Sequence, residues 1–382
     1  MLVCEHCAAS YPTEKPRWRC DCGGTLMLES PARFDLAALR ERASNLWPNL
    51  WRYADALPVP IADAVTLGEG ATPLLPLAGA WGDAHFKLDF MMPTGSFKDR
   101  GSAVMVSQLK RWGLTEIIEN SSGNAGVSVA AYCARANIDA HIFVPAHASI
   151  GKTAQIALHG ARLSPIQGTR EDVTAAALNA AQATFYAGHS WSPYFIHGVK
   201  TLAFELWEQL EFRAPDAVIV PVGNGSLVLG CCLGFNELRN AGMIDRLPCL
   251  IAVQAARCAP LARAWQQWMD VPVPVNKENT MAEGIAIAAP IKGRAILAAV
   301  RETNGLFVTV AESEIFNALK IMAKIGLYIE PTSAVAPAAL IKLREQGEID
   351  PAASVVVELT GSGLKSSEKI SEMLGAEVAG GT

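Results

Sequence analysis

The sequence has no apolar run long enough to span a membrane. Among its 382 residues, no stretch approaches the roughly 18 apolar residues that a transmembrane helix needs. The formal net charge is only -5, so the strongly basic balance typical of nucleic-acid binding is also missing. The N-terminus, Met-Leu-Val-Cys-Glu, lacks the basic and then apolar segments of a signal peptide. We therefore expect a cytoplasmic globular protein, without a nucleic-acid or membrane partner.

Two common nucleotide-binding patterns are absent from the loop Gly223-Asn224-Gly225-Ser226. No Gly-Lys-Ser/Thr follows this loop, which argues against a P-loop. The glycine fingerprint of dinucleotide-binding proteins is incomplete, because Val228 stands at its third glycine position. The next strand-like run also ends at Gln254, where such proteins have an acidic residue. Glycines before a helix still allow close approach of an anion. A single phosphate group fits this loop better than a nucleotide, and a plain tight turn is the alternative.

The nine cysteines fall into two sets. Five lie in apolar segments and are most simply small buried residues. The other four form a Cys-x2-Cys pair, twelve intervening residues and a Cys-x-Cys pair: Cys4, Cys7, Cys20 and Cys22. This separation resembles a zinc ribbon, although the second pair is one residue shorter than usual. We expect residues 1–30 to form a zinc-ribbon-like cysteine module with these four as metal ligands, and a metal-free vestige of a ribbon is the alternative.

Three strand-like runs end in glycine-rich loops that precede helical segments. The runs and their loops are 116–118 with 121–126, 217–222 with 223–226, and 354–359 with 360–363. Apolar, β-branched runs that alternate with helices predict an α/β protein with parallel sheets. Ligands in such sheets bind at the carboxyl ends of the strands. The three loops are therefore candidates for one binding crevice.

Lys98 stands in the segment Pro93-Thr94-Gly95-Ser96-Phe97-Lys98-Asp99-Arg100-Gly101. A glycine turn precedes it and a helix-like stretch follows, which places the amine near a helix N-terminus. The positive end of a helix disfavours an ammonium group, and a lysine there can become a nucleophile or form a Schiff base. A surface lysine in a polar turn is the alternative for this segment taken alone.

The candidate groups together describe a site for pyridoxal phosphate (PLP). The loop 223–226 offers a phosphate cradle, and the serines and free N–H groups of loop 121–126 offer a carboxylate cradle. Thr360 ends the third strand with an uncharged hydroxyl. Lys98 would hold the cofactor aldehyde as an imine.

The sequence resembles the threonine synthases. These belong to the fold type II PLP enzymes, a group that resembles the tryptophan synthase β subunit. The resemblance runs almost end to end and rests on the lysine segment and on the segments 4–22, 50–53, 67–74, 151–155, 198–201, 221–224, 330–334 and 359–365. It implies two parallel-sheet α/β domains around a PLP cleft. It also implies that the cofactor is bound by Lys98, Phe97, Asn124, Gly223, Asn224, Gly225, Ser226 and Thr360. The substrate-binding residues that it implies are Ser96, Ser121, Ser122, Gly123, Ala125 and Lys152.

This sequence departs from that family where a phosphorylated substrate would bind. Threonine synthases usually carry an arginine in an Asn-Pro-Tyr-Arg-like stretch, whereas here Ser192-Pro193-Tyr194 is followed by Phe195. A phenylalanine cannot neutralise a phosphate dianion, as a bidentate arginine does. The stretch 282–286 also looks more like serine and threonine dehydratases. We therefore expect a substrate other than O-phosphohomoserine.

The sequence predicts a PLP-dependent lyase, similar to threonine synthase, that performs elimination or replacement at the β or γ carbon of an amino acid. Lys98 is the expected catalytic residue. A hydroxy-amino-acid dehydratase or ammonia-lyase is the alternative enzyme, and a PLP-binding regulatory protein is the alternative outside catalysis. The predicted domains are the cysteine module, a large PLP domain of residues 31–92 and 196–382, and a small mobile domain of residues 93–195. A homodimer is left open.

Overall fold

The computed structural model describes residues 1–29, 33–45, 49–79, 81–148 and 150–380. The chain divides into two compact units. The first unit comprises Met1–Ala71, Met92–Glu208 and Leu233–Asp245, and the second comprises Thr72–Met91, Gln209–Cys232 and Arg246–Thr382. Residues 31–71 and 196–208 fall in the first unit, whereas the sequence-based ranges assign them to the large domain; those ranges remain a prediction.

The first unit begins with a small antiparallel sheet. Its strands are β1 (Leu2–Cys4), β2 (Ser10–Tyr11) and β3 (Leu26–Leu28), in the order β2-β1-β3. Leu2 pairs with Leu28, and both side chains are buried together with Leu26. The alternation of buried and exposed residues in β3 is the two-residue period of a strand with one covered face. This sheet carries the cysteine module.

A parallel four-stranded sheet lies at the centre of the rest of the first unit. Its strands are β6 (Glu116–Glu119), β7 (Asp139–Pro145), β8 (Arg162–Ile166) and β9 (Phe185–Tyr186), in the order β8-β7-β6-β9. The helices are α1 (Leu36–Asn45), α2 (Lys98–Arg111), α3 (Asn124–Ala136), α4 (Ile150–Leu158), α5 (Arg170–Ala180), α6 (Pro193–Val199) and α7 (Thr201–Gln209). A capping box of Thr169 and Asp172 starts α5.

The second unit is built on a six-stranded sheet. Its strands are β4 (Leu74–Gly79), β5 (Gly82–Lys87), β10 (Ala217–Pro221), β11 (Cys249–Ala255), β12 (Leu306–Val310) and β13 (Val355–Glu358), in the order β12-β11-β10-β13-β5-β4. The helices that begin here are α8 (Ser226–Asn240), α9 (Pro260–Gln266), α10 (Gly293–Glu302), α11 (Glu312–Lys324), α12 (Pro331–Glu345) and α13 (Ser367–Gly380). Short 3-10 helices in the two units are Leu50–Ala56, Ile61–Asp63, Asp89–Met91, Glu283–Ile285 and Gly363–Ser366.

The α/β class is confirmed, with two details that differ from the prediction. The larger sheet is mixed, because its edge strand β4 runs antiparallel to β5 through a tight connection. The three glycine loops also do not share one sheet, since β6 belongs to the four-stranded sheet whereas β10 and β13 are neighbours in the six-stranded one. Strand pairing depends on distant residues, which the local pattern of each run does not encode.

The core of the second unit explains its sequence pattern. All residues of β10 and β13 are buried, as expected of strands covered on both faces. Helix α12 packs on this sheet and is almost wholly buried, which suits its run of alanines. In the part of the chain that the structure describes, no helix combines the length and the apolar character needed to cross a membrane.

Candidate functional site

Lys98 is the first residue of α2, at the helix N-terminus where the sequence placed it. The turn before it contains Gly95 at a φ of +76°, a left-handed conformation that favours glycine. The half-buried lysine side chain lies among aromatic rings. Its Nζ is 4.3 Å from the ring centroid of Phe97 and 5.8 Å from that of Phe195. The amine is thus held at the positive end of a helix in apolar surroundings.

Asp99 fixes the start of this helix. Its buried carboxylate accepts hydrogen bonds from the backbone N–H of Thr94 at 2.7 Å and the hydroxyl of Thr94 at 2.6 Å. It also accepts from the hydroxyl of Ser128 in α3 at 2.6 Å. Because Asp99 and Ser128 lie near the beginnings of their helices, the N-terminal halves of α2 and α3 run side by side. Lys98 and Asn124 are the first residues of these two helices.

The loop before α3 folds tightly onto its own helix. A Cβ at Gly126 would lie 1.8 Å from the carbonyl oxygen of Ser121, so this position accepts only glycine without a shift of the loop. The N–H of Gly123 donates to the Ser121 hydroxyl at 3.3 Å. The predicted substrate-binding residues of this segment are brought together here. Ser121 and Ala125 are buried, whereas Ser122, Gly123 and Asn124 are half-buried.

Phe195 lies in α6 and packs on the backbone of α2. Its side chain is fully buried, and a Cβ at Gly101 would come within 2.5 Å of its ring. A Cβ at Gly198 would lie 2.1 Å from the carbonyl oxygen of Arg100. The two glycines therefore allow α6 to approach α2 closely, and this contact sets the Phe195 ring beside Lys98.

Sequence reasoning missed a buried ion pair next to the lysine. Arg100 donates to both carboxylate oxygens of Glu205, at 2.9 and 3.1 Å, and both side chains are almost completely buried. The N–H of Ala71 donates to the same carboxylate at 2.8 Å. The pair joins α2 to α7, and the hydrogen bond from Ala71 adds the end of the segment before Thr72. In the sequence, Glu205 is indicated only as an acidic residue at a core-facing position of an amphipathic helix.

Both histidines that flank Phe195 in sequence are engaged by other groups. His189 is hydrogen-bonded to Glu119, through its backbone N–H at 2.9 Å and through Nδ1 at 3.2 Å. Nε2 of His197 donates to the carbonyl of Leu28 at 3.0 Å. Burial lowers the pKa of His197 well below its usual value, so its imidazole is neutral near pH 7.

Two further predicted substrate residues also lie in the first unit. Ser96 is fully buried, and among the described residues its hydroxyl has no hydrogen-bond partner. A buried hydroxyl without a protein partner is costly and is suited to receive a ligand group. Lys152 lies on α4 and is half-buried.

The glycine loop after β10 lies in the second unit. Gly225 has a φ of +79°, and a Cβ there would lie 2.3 Å from Cδ1 of Ile296. Helix α8 begins immediately afterwards at Ser226. The first N–H groups of such a helix have no partner within the helix and favour an anion. The sequence predicts phosphate binding by this loop and helix start, together with Gly223 and Asn224.

Thr360 and that loop follow the carboxyl ends of two strands, β13 and β10, which are parallel neighbours in the sheet. Thr360 is buried, and its hydroxyl is 2.9 Å from the hydroxyl of Ser333. The Ser333 hydroxyl also accepts from the N–H of Gly361 at 2.7 Å. The position is therefore an uncharged pair of hydroxyls, and Ser333 is a member that the sequence analysis missed.

These residues fit pyridoxal phosphate. The second unit offers a helix N-terminus at Ser226, whose free N–H groups suit a phosphate group, directly after a glycine in a left-handed turn. The hydroxyl of Thr360 can form a hydrogen bond with an aromatic ring nitrogen, and unlike a carboxylate it carries no charge. The first unit offers the Lys98 amine. In each unit, the donor set matches one part of the cofactor.

The four predicted metal ligands come together in the cysteine module. The sulfur atoms of Cys4, Cys7, Cys20 and Cys22 all lie within 4.8 Å of one another. The Cys4–Cys22 and Cys7–Cys20 sulfur distances are 3.6 and 3.5 Å. A tetrahedral zinc ion with Zn–S bonds of about 2.3 Å needs sulfur atoms roughly 3.8 Å apart. The cluster therefore has the dimensions of a four-thiolate zinc site.

The surroundings of the cluster favour a thiolate at Cys20, whereas the pKa of Cys7 is raised and that of Cys22 is raised to about 12 by hydrogen bonds among the thiols. The hydroxyl of Tyr11 lies 3.0 Å from the sulfur of Cys20, and this hydrogen bond lowers the pKa of the Cys20 thiol to about 6. The N–H of His6 donates to Cys4 at 3.3 Å. A Cβ at Gly24 would lie 3.0 Å from the Cys4 sulfur, so glycine leaves room for the cluster. Metal ligation requires deprotonated cysteines.

The α/β architecture, the lysine at a helix start and the glycine loop before a second helix define a PLP-dependent α/β enzyme. The chain belongs to the family described as pyridoxal-phosphate dependent enzyme, whose sequence pattern matches residues 65–361. Threonine synthase of Methanosarcina acetivorans is 33% identical over 97% of this chain and 93% of its own length. Threonine synthase of Synechocystis is 35% identical over 85% of each.

Solved structures agree on the fold. Threonine deaminase isoform 2 of Solanum lycopersicum has a TM-score of 0.69 at 23% identity and covers 91% of each chain. An L-serine ammonia-lyase of Rhizomucor miehei has a TM-score of 0.67 at 24% identity, over 81% of this chain and 98% of that one. The recognition as a fold type II enzyme similar to threonine synthase is confirmed, and the chain is a PLP-dependent lyase of that kind.

Proposed function

We propose that this enzyme eliminates or replaces a substituent on the β or γ carbon of an amino acid that carries no phosphate ester. The observation that carries the proposal is Phe195, which is fully buried against α2 with its ring 5.8 Å from the Nζ of Lys98. An apolar ring cannot neutralise a phosphate dianion, which in a closed site needs charge-assisted donors. The nearby guanidinium of Arg100 is already engaged by Glu205.

The roles of the first-unit residues follow from their chemistry. Nζ of Lys98 would hold the cofactor covalently, and the same amine is the group placed to move the proton at the substrate α carbon. Asn124 would bind the phenolic oxygen of the cofactor, and Phe97 flanks the lysine. The substrate carboxylate is bound by N–H and hydroxyl groups of the loop before α3. The residues proposed for substrate binding are Ser96, Ser121, Ser122, Gly123, Ala125 and Lys152.

The second-unit residues hold the other parts of the cofactor. Gly223, Asn224, Gly225 and Ser226 would bind its phosphate, and Thr360 would bind its ring nitrogen. When bound, pyridoxal phosphate would withdraw electrons from the substrate α carbon. The Thr360–Ser333 pair is uncharged, so it would not favour a protonated ring nitrogen, and the withdrawal would be weaker. Weaker withdrawal would favour prompt loss of a leaving group from the substrate.

Threonine formation from O-phosphohomoserine is the second candidate. It is supported by the curated relatives named threonine synthase, which match this chain over most of its length. In that case the phosphate would be bound away from Phe195, with Lys152 as a candidate donor. The alternative of a dehydratase or ammonia-lyase falls within the leading proposal. A PLP-binding regulatory protein would show no turnover.

A substrate screen separates these candidates. Purified protein loaded with pyridoxal phosphate is incubated with O-phosphohomoserine and with hydroxy- and amino-substituted amino acids, and release of phosphate, ammonia and 2-oxo acid is measured. We expect ammonia and 2-oxo acid from an unphosphorylated substrate, and none from the Lys98→Ala variant. Efficient phosphate release with threonine formation would refute the substrate proposal. Absence of turnover on every compound would favour the regulatory protein.

We further propose that Cys4, Cys7, Cys20 and Cys22 bind one structural zinc ion. Four thiolates leave no open position for water, so the ion would have no catalytic role. Elemental analysis of protein prepared without chelator should find about one zinc per chain. Cys7→Ser should lower this content, whereas Cys249→Ser, outside the cluster, should not. Protein that neither contains nor takes up zinc would favour the vestigial ribbon. A cytoplasmic location and a homodimer stay predictions from the sequence.

A further inference from the structure

The cysteine module contacts the rest of the first unit through Thr13, Trp18 and Leu28. The carbonyl oxygen of Thr13 accepts a hydrogen bond from the indole of Trp112 at 2.8 Å. Trp18 packs edge-on against Tyr186, with ring centroids 4.8 Å apart, and against Trp191 at 5.3 Å. These contacts join the module to the end of α2 and to β9. Aromatic pairs of this geometry contribute specific orientation in addition to buried area.

The third contact reaches α6. The carbonyl of Leu28 in β3 accepts a hydrogen bond from the buried imidazole of His197. His197 and Phe195 belong to the same short helix, and Phe195 packs on Gly101 of α2. A continuous path of packed groups therefore runs from the module through α6 to the helix that begins at Lys98.

The four-cysteine cluster closes the segment that makes two of these contacts. Thr13 and Trp18 both lie in the stretch between Cys7 and Cys20, and the cluster joins the two ends of that stretch. A module of this size buries too little apolar surface to fold firmly by itself, which is why small domains depend on metals or disulfides. The strands β1 and β3 supply few buried side chains, among them Leu2 and Leu26. An ion bound at the cluster would therefore hold the two ends of the Trp18 segment together.

We propose that the zinc-bound cysteine module is a brace that positions α6 and, through Phe195, the surroundings of Lys98. This inference rests on the proposed zinc site. Trp18 and His197 are positioning residues, because neither touches the lysine. Loss of the ion loosens the Trp18 segment and α6, and thereby changes the environment of Lys98 from a distance.

The test uses the full-length enzyme loaded with pyridoxal phosphate. Zinc is removed with a chelator from the folded protein, and backbone hydrogen exchange and the visible absorption and circular dichroism of the bound cofactor are recorded. We expect exchange in residues 193–199 to become about tenfold faster, because local opening follows the loss of packed contacts. The visible spectrum should change at the same time, and both effects should reverse when zinc is added back.

Two tryptophan variants separate the brace from the ion itself. Trp18→Ala should keep zinc yet reproduce the faster exchange and the altered spectrum. Trp268→Ala is the matched control, because that side chain is 86% exposed, and it should change neither. Loss of zinc with unchanged exchange in 193–199 and an unchanged spectrum would overturn the brace and leave the zinc site standing. Protein that takes up no zinc would overturn both the brace and the zinc site. The hydrogen exchange of Trp18→Ala would then report only on the packing of Trp18 against the first unit.

Discussion

The ring of Phe195 lies against the backbone of Gly101, so closely that a Cβ at position 101 would be 2.5 Å from its Cδ1 and Cε1. Gly101 is about one helical turn beyond Lys98 on α2. The contact therefore joins a position that decides substrate choice in our proposal to the helix of the cofactor lysine. It also makes the two residues interdependent, because a larger residue at 101 needs a smaller one at 195.

Gly101→Ala should destabilise the protein through overpacking. The added methyl group overlaps the Phe195 ring, and we expect the free energy of unfolding to fall by about 1–3 kcal/mol. Urea unfolding measures this change. The double variant Gly101→Ala/Phe195→Leu should recover part of the loss. Gly375→Ala serves as the control, because a Cβ there has no neighbour within 4 Å, and it should be neutral or slightly stabilising. A neutral Gly101→Ala would contradict the packing.

Lys98→Ala should abolish covalent binding of pyridoxal phosphate. The unmodified protein should be yellow, and borohydride should fix the cofactor to it. The variant should lose this response, because no other amine is proposed to hold the aldehyde. Lys110→Ala, at an exposed position of the same helix, is the matched control and should behave like the unmodified protein. A Lys98→Ala protein that still forms a reducible adduct would end the assignment.

Phe195→Arg should increase the use of O-phosphohomoserine. One charge-assisted contact contributes about 1.5–3 kcal/mol, which corresponds to roughly ten- to hundredfold in kcat/KM. The measurement is phosphate release at low substrate concentration. Because residue 195 is fully buried, the variant should also be less stable, as an arginine there loses hydration. Phe195→Leu opens the same space without a charge and should give no gain. Equal gains in both variants would refute the charge argument.

Acid should destabilise the folded protein partly through His197. Burial lowers the pKa of His197 in the folded state, so below about pH 6.5 the unfolded chain binds a proton there that the folded chain does not. Stability should therefore fall with decreasing pH, by up to about 1.4 kcal/mol per pH unit from this group. His197→Gln should reduce the slope in urea unfolding between pH 6.5 and 5, whereas the exposed His159→Gln should not. The same slope in all three proteins would contradict the assignment.

Local patterns were enough to predict several features. The strands around Val218, Ile251 and Val356 were predicted from apolar, β-branched runs. A helix was predicted to follow Lys98, and in the structure this helix already begins at Lys98. The spacing of Cys4, Cys7, Cys20 and Cys22 predicted one cluster, and the four sulfur atoms do lie together. Propensity, periodicity and turn chemistry act over a few residues, and a sequence displays them directly.

Other features depended on residues far apart in the chain. Nothing local to Glu119 indicates that β6 pairs with β7 and β9 and is absent from the sheet of β10 and β13. Arg100 belongs to the lysine segment, but its partner Glu205 is distant in sequence. The sequence indicates Glu205 only as an acidic residue within an amphipathic helix. The Thr360–Ser333 hydroxyl pair was missed for the same reason.

The sequence by itself determined the class of enzyme and the cysteine cluster, and it supplied the proposals for the cofactor lysine and the phosphate loop, because each depends on a short segment with its own chemistry. Only the tertiary structure decided that Phe195 packs on Gly101, that Arg100 is engaged by Glu205, and that Trp18 of the cysteine module packs on Tyr186. Such contacts form when the buried faces of distant elements are matched in the folded core, and the matching depends on close packing of the whole unit.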